Sequence, residues 1–306
     1  MLRSLILAAA GNETVKKAVA AAPISREVVS RFVAGETIDD AVRAVRELEQ
    51  KGLSASLDHL GEDTTDLAQA VSATETYIGL LERLAAEHLT PAAEVSVKLS
   101  AMGQSVDPAF ALERAREVCA AAERAGTTVT LDMEDHTTTD ATLETLSILR
   151  KDFPDTGAVL QSYLRRTEAD CAELTGRDSR VRLCKGAYAE PEEVAYQDKH
   201  DVDLSYVRCL NVLMAGEGRP MIATHDPRLI AIAGERAARY GRMPESWEYQ
   251  MLYGTRPTEQ KRLVELGHTV RVYVPFGQEW YGYLMRRLAE RPANVSFFLR
   301  AVATKG

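Results

Sequence analysis

With 306 residues, 45% of them hydrophobic, the chain can bury a large core and is not a disordered segment. Its formal net charge of −8, with no long basic run, excludes a general nucleic-acid or polyanion binder, so any anion site must be local. Cys119, Cys171, Cys184 and Cys209 show no CxxC spacing and form no disulfide framework, which points to a reducing, cytoplasmic setting.

In chain order, MLRSLILAAAGNE opens with an apolar run well short of the roughly 20 residues that span a bilayer, and it reads as an N-terminal helix. No later window is long and apolar enough to span one either, so any membrane contact is expected to be peripheral, at the inner face of the cell membrane. Residues 1–51 read as a helical arm of two or three helices. Thr37-Ile-Asp-Asp40 has the pattern of a capping box opening the last of them.

From residue 52 to 306 one theme repeats: a short β-branched or apolar run, then an Ala/Leu/Glu/Arg segment of helical period. The runs are LSASLDHLG (53–61), EVSVKLS (94–100), TTVTLDME (127–134), GAVLQSYLR (157–165), RVRLCKG (180–186), RPMIATH (219–225), SWEYQML (246–252) and HTVRVYVPFG (268–277). Helical segments such as 108–126 and 228–241 close on Gly126 and Gly241, as C-caps do. Eight β-then-α units predict an α/β fold, a (β/α)8 barrel of the TIM type. A doubly wound sheet is the alternative, but no GxGxxG follows any predicted strand. The last segment, YGYLMRRLAE (281–290), puts Tyr283, Arg286, Arg287 and Glu290 on one face of a helix placed over the barrel mouth.

Chemistry in such barrels gathers at the C-terminal strand ends. Those ends offer Glu62, Lys98, Asp132, Gln161, Arg182 with Lys185, Thr224 with His225, Gln250 and Tyr273. Each has a plainer reading: Lys98 or Asp132 as half of a structural ion pair, His225 as a packing residue, Arg286 with Glu290 as a solvated i,i+4 pair. The coincidence of eight polar ends outweighs those readings, because burying an unpaired charge costs several kcal/mol. Arg182 and Lys185 read as opening a turn whose Gly186 lets backbone N–H groups approach a pyrophosphate. Arg286 and Arg287 offer planar forks for a carboxylate. The mouth thus reads as holding a phosphate-bearing cofactor beside a small carboxylate substrate.

VKLS (97–100), LDMED (131–135), LQSYLRR (160–166), RLCKGAY (182–188), ATHD (223–226), EYQML (248–252) and YVPFG with YLMRRLAERPAN (273–294) resemble the monofunctional bacterial proline dehydrogenases. The similarity runs in order through all eight units and extends into residues 33–52 of the arm. It implies a distorted barrel that binds FAD non-covalently without a Rossmann motif, oxidises L-proline to 1-pyrroline-5-carboxylate in proline catabolism, and passes electrons to a membrane quinone. Transient contact with pyrroline-5-carboxylate dehydrogenase is a further implied partner. By the same resemblance, Asp132 and Arg182 are the catalytic pair, and Lys98, Arg286 and Arg287 clamp the substrate carboxylate. Leu252, Tyr273 and Tyr283 wall the proline ring. Met133, Gln161, Arg182, Lys185, Gly186, Ala187, Thr224 and His225 contact the flavin, and Glu62 pairs with Arg286 as a gate.

Three rivals remain from the residues themselves. A Schiff-base aldolase-type barrel would use Lys98 or Lys185 as a nucleophilic amine, and leaves the two arginines unexplained. A metal site at Asp132, Glu134, Asp135 and His136 is weakened because consecutive strand positions point to opposite faces. A non-enzymatic scaffold would gain stability by discarding its buried charges.

Overall fold

A computed structural model describes residues 29–61 and 64–290, and within its last helix the side chains of Arg286 and 288–290 lie outside that description. The helix expected at residues 1–13, and the Glu62 to Arg286 gate, therefore fall outside the described residues. The first complete helix among the described residues, α1 (Ile38–Glu49), begins where the Thr37 side chain accepts from the Asp40 N–H and Asp40 reaches back to the Thr37 backbone, a closed capping box. Its buried face, Ala41, Val42, Ala44, Val45 and Leu48, joins the main hydrophobic core.

The strands are β1 (Ser54–His59), β2 (Ala93–Val97), β3 (Val129–Leu131), β4 (Gly157–Gln161), β5 (Arg180–Cys184), β6 (Arg219–Ala223), β7 (Glu248–Leu252) and β8 (Val270–Phe276). They pair in sequence order, all parallel, and β8 closes onto β1 to complete a barrel. The intervening helices are α2 (Leu67–Ala86), α3 (Pro108–Arg124), α4 (Thr139–Leu149), α5 (Thr167–Glu173), α6 (Lys199–Ala215), α7 (Pro227–Arg239) and α8 (Pro257–Glu265), and α9 (Trp280–Glu290) follows β8. Gly126 and Gly241, with φ of 70° and 63°, follow α3 and α7 in the left-handed conformation expected of C-cap glycines. All eight predicted runs contain a strand, but most strands stop short of the predicted C-terminal ends. β3 ends at Leu131 because its pairing with β4 is only Thr130 to Gly157 and Leu131 to Ala158.

Period-two alternation sorts each strand into two faces. Ala55, Leu57, Val95, Val97, Val181, Leu183, Val270 and Val272 pack in the main core cluster. The alternate residues are polar and converge on one another: Ser56 and Asp58, Glu94 and Ser96, Arg180 and Arg182, Glu248 and Gln250, Arg271 and Tyr273. The barrel interior is therefore a column of hydrogen-bonded charges where such barrels commonly stack branched aliphatics.

At the N-terminal end of that column, the fully buried Glu248 accepts from Arg271 Nε (2.7 Å), Arg219 Nη2 (3.0 Å) and Gln250 Nε2 (2.7 Å). Glu94 pairs with Arg180, and Arg271 Nη1 lies 3.8 Å from it while donating to the Ala55 and Ala92 carbonyls. Burial alone would raise the Glu248 carboxyl, but attraction from Arg271 and Arg219 overrides it and lowers its pKa from 4.5 to about 2. A folded-state pKa below the unfolded one gives stability that is complete above the unfolded value and is lost as pH falls from 4.5 towards about 2. Replacing Glu248 by Gln leaves the buried Arg271 with less than a full counter-charge. Urea unfolding is expected to show a loss of about 3–5 kcal/mol for Glu248→Gln. Arg43→Ala, at an exposed pair, should leave the unfolding midpoint close to wild type.

Candidate active site

Asp132 is the first residue after β3, its N–H held by the Val97 carbonyl at 2.8 Å. Its Oδ1 accepts from Arg182 Nη1 (2.6 Å) and Ser96 Oγ (2.7 Å), and its Oδ2 accepts from the Tyr273 hydroxyl (2.6 Å). Arg182, 4% exposed, spends its remaining donors on Gln250 Oε1, Ser96 Oγ (2.8 Å) and Ser56 Oγ (3.1 Å). Its guanidinium also lies 5.3 Å from the Tyr273 ring centroid. Gln250 can present only its oxygen to Arg182 because its amide NH2 is taken by Glu248. The upper site is thus oriented by the charges below it.

Lys98, one residue past β2, places Nζ 2.6 Å from Asp58 Oδ2, 3.3 Å from the Tyr273 hydroxyl and 3.7 Å from Asp132 Oδ2. Two cations and two carboxylates balance in this cluster. Burial, then repulsion from Asp132 and Asp58, push the Tyr273 phenol well above its ordinary 10.0, so it remains a neutral donor to Asp132.

A second arc of the mouth runs from β4 to β7. Gln161 donates to the Glu134 carbonyl (2.7 Å), and Lys185 Nζ sits 2.5 Å from Asp203 and 3.3 Å from Asp226. Arg228 bridges the same two carboxylates, and its hydrogen bond is the main reason Asp226 is held far below the usual carboxylate range. Gly186 adopts φ +104°, and a Cβ there would sit 2.2 Å from the Tyr163 ring, so the position excludes side chains on both counts. Thr224 Oγ1 accepts from the Asp226 N–H (3.2 Å). His225 Nε2 accepts from the Leu252 N–H (2.9 Å), which makes it the unprotonated ring nitrogen. Met133 is buried and Ala187 is exposed.

On α9, the Arg287 guanidinium stacks 5.2 Å from the ring centroid of the buried Tyr283. The structure therefore joins Lys98, Asp132, Arg182 and Tyr273 in one network and puts Gln161, Lys185, Gly186, Thr224 and His225 along the adjoining arc. Leu252 meets that arc through its backbone.

The sequence profile of the family described as Proline dehydrogenase matches residues 41–300. The chain belongs to the proline dehydrogenase family. It is 36% identical over 305 residues to proline dehydrogenase 1 of Bacillus subtilis, covering 100% of each chain, and 40% identical over 280 residues to proline dehydrogenase of Deinococcus radiodurans, covering 90% of each. Among solved structures, proline utilization A from Bdellovibrio bacteriovorus inactivated by N-propargylglycine matches with a TM-score of 0.81 and 27% identity, over 92% of this chain and 34% of that one. The protein is accordingly an oxidoreductase acting on proline, in proline catabolism.

Within this proline dehydrogenase fold, one expectation from the sequence shifts and one residue comes to light. Arg182 does not open a turn with Lys185; it lies inside β5 and faces the barrel axis, while Lys185 follows the strand. Among the described residues the carboxylate nearest Lys98 is Asp58, which the sequence reading did not name. The signal was present, since Ser54, Ser56 and Asp58 alternate with Ala55 and Leu57 along β1. The rival metal set disperses to separate partners: Asp132 to Arg182, Glu134 to Ser100, Asp135 to the Thr137 N–H and His136 to Glu190.

Tyr273→Phe removes one donor from a buried carboxylate without creating a large cavity. A hydrogen bond to a charged group is worth about 1.5–3 kcal/mol, so kcat/KM for proline is expected to fall roughly 10- to 150-fold. Steady-state kinetics on the folded variant checks this.

Proposed function

We propose that this chain is a monofunctional proline dehydrogenase that holds FAD non-covalently, oxidises L-proline to 1-pyrroline-5-carboxylate by hydride transfer, and passes the electrons to a quinone. The observation that carries the reading is the ion-paired Lys98–Asp58–Asp132–Arg182 cluster at the C-terminal mouth of a barrel spanned by the family profile. The adjoining arc fits a nucleotide-bearing cofactor: Gly186 leaves its backbone bare, and Lys185 is a half-exposed cation beside it. Asp203 and Asp226 stand next to Lys185, but Arg228 offsets the second negative charge. When bound, the flavin supplies a hydride acceptor and a route for the electron pair to the quinone.

Lys98 and Arg287, with Arg286, bind the substrate carboxylate and so orient the ring carbon that loses hydride. As the C5–H pair departs, the nitrogen lone pair forms the C=N bond, so the amine must arrive without its extra proton. Lys98 and Arg182 are balanced by Asp58 and Asp132, so it is the further positive charge of Arg286 and Arg287 that disfavours the ammonium form. Tyr273, Tyr283 and Leu252 wall the ring and exclude water. An ammonium held between two carboxylates is the opposite of the neutral amine that a Schiff-base barrel needs from Lys98. Product passes to an enzyme that oxidises it further, the role proposed for pyrroline-5-carboxylate dehydrogenase, and no helix among the described residues is long and apolar enough to cross a membrane to reach the quinone.

The purified protein is expected to be yellow, to bleach on anaerobic addition of L-proline, and to release its flavin into the supernatant on acid precipitation. A colourless protein trapped by borohydride with a keto substrate would contradict the reading, and flavin remaining in the pellet would contradict the non-covalent assignment.

A further inference from the structure

The segment between β5 and α6 carries a carboxylate that the site described above does not use. Glu190 is well inside this loop, yet its side chain is only 4% exposed. One oxygen accepts from the His136 backbone N–H (2.9 Å) and the Tyr163 hydroxyl (3.2 Å), and the other meets His136 Nδ1. Its three partners come from two other loops at the C-terminal rim, those after β3 and β4.

Much of the rest of the segment leans on one of those neighbours. It doubles back on the β4–α5 loop through an antiparallel bridge between Leu164 and Ala195, with Arg165 N donating to Val194 O (2.9 Å) and Tyr196 N to Tyr163 O (2.8 Å). Tyr163, Leu164 and Ala195 form a small apolar cluster with Tyr188, Val194 and Val202, separate from the main core. Tyr163 also lies against Gly186 and donates its N–H to the Lys185 carbonyl (2.9 Å). Glu190 ties this doubled loop across to the β3 side. Losing it removes a buried anchor from the loop that follows the Lys185–Gly186 turn, and a rim loop that loses such an anchor opens locally while the barrel stays folded.

We infer that Glu190 is a positioning residue: it locks the β5–α6 loop onto His136 and Tyr163, and the locked loop retains the phosphate-bearing cofactor at Lys185 and Gly186. The inference rests on the flavin reading given under Proposed function. Glu190 touches neither proline nor the reacting atoms in this assignment, so it acts on cofactor retention and not on the chemical step.

The test compares wild type with Glu190→Ala and Glu190→Gln in two arms. In the flavin-free protein, amide hydrogen exchange across residues 186–196 is expected to rise about ten-fold in Glu190→Ala, with the barrel strands unchanged, as loss of one charge-assisted lock implies. Glu190→Gln, whose carboxamide can still accept from the His136 N–H and donate to Nδ1, should stay near wild type. In the flavin-loaded protein, Glu190→Ala should release FAD about ten-fold faster, while KM for proline at saturating FAD moves less than about two-fold. Should Glu190→Ala not fold, Tyr163→Phe, which removes one contact of the lock, carries both arms with a smaller expected effect. Unchanged exchange would overturn the lock, and faster exchange without faster flavin release would overturn its role in retention. A wild type that takes up no flavin would defeat the functional reading alone, since the exchange arm still judges the lock.

Discussion

Buried charge must be neutralised where it sits, and in this barrel that constraint organises everything else. A single unpaired ion in such an interior costs several kcal/mol, so Arg271 and Arg180 are seated against Glu248 and Glu94. Neutrality then propagates upward. Glu248 fixes the Gln250 amide, Gln250 fixes Arg182, Arg182 fixes Asp132, and Asp132 with Asp58 holds Lys98. Replacing the lower charges by well-packed aliphatics could stabilise the barrel, but it would free the amide and guanidinium orientations at the mouth.

The fold was legible because its apolar face alternates with period two along strands that then give way to helical period, a pattern that survives without tertiary information. Strand ends were less legible. Run composition continues past β3 into LDME, whereas the strand stops when its partner does. Asp58 illustrates the same point: its inward direction follows from Ser54 and Ser56, but only the register with β8 shows that it ends level with the mouth. Arg182 looked like part of a glycine turn because Gly186 is close in sequence, and only the closed sheet turns it inward. Glu190 could not be found at all, since its partners His136 and Tyr163 lie 54 and 27 residues away.

The proline dehydrogenase assignment gives that network a purpose. On the reading proposed above, a substrate carboxylate entering the mouth meets Lys98 already engaged by Asp58 and approached by Asp132, so substrate binding is an exchange of counter-ions and not the capture of a free cation. On the same reading, ring walls at Tyr273 and Tyr283 lower the local dielectric and strengthen that exchange. Cofactor retention is then assigned to a different part of the rim, the β4 to β7 arc and its locked loop, and the two affinities are expected to vary independently.

The central claim is that Asp58 and the incoming carboxylate share Lys98. A double-mutant cycle of Asp58→Asn and Lys98→Met, read by calorimetric binding of a five-membered cyclic carboxylate that lacks the amine, tests it most directly. Asp58→Asn should tighten binding, Lys98→Met should weaken it, and the double variant should lose the gain, giving a coupling of at least about 1 kcal/mol. Additivity within about 0.5 kcal/mol, with Asp58→Asn binding no more tightly than wild type, would contradict the claim.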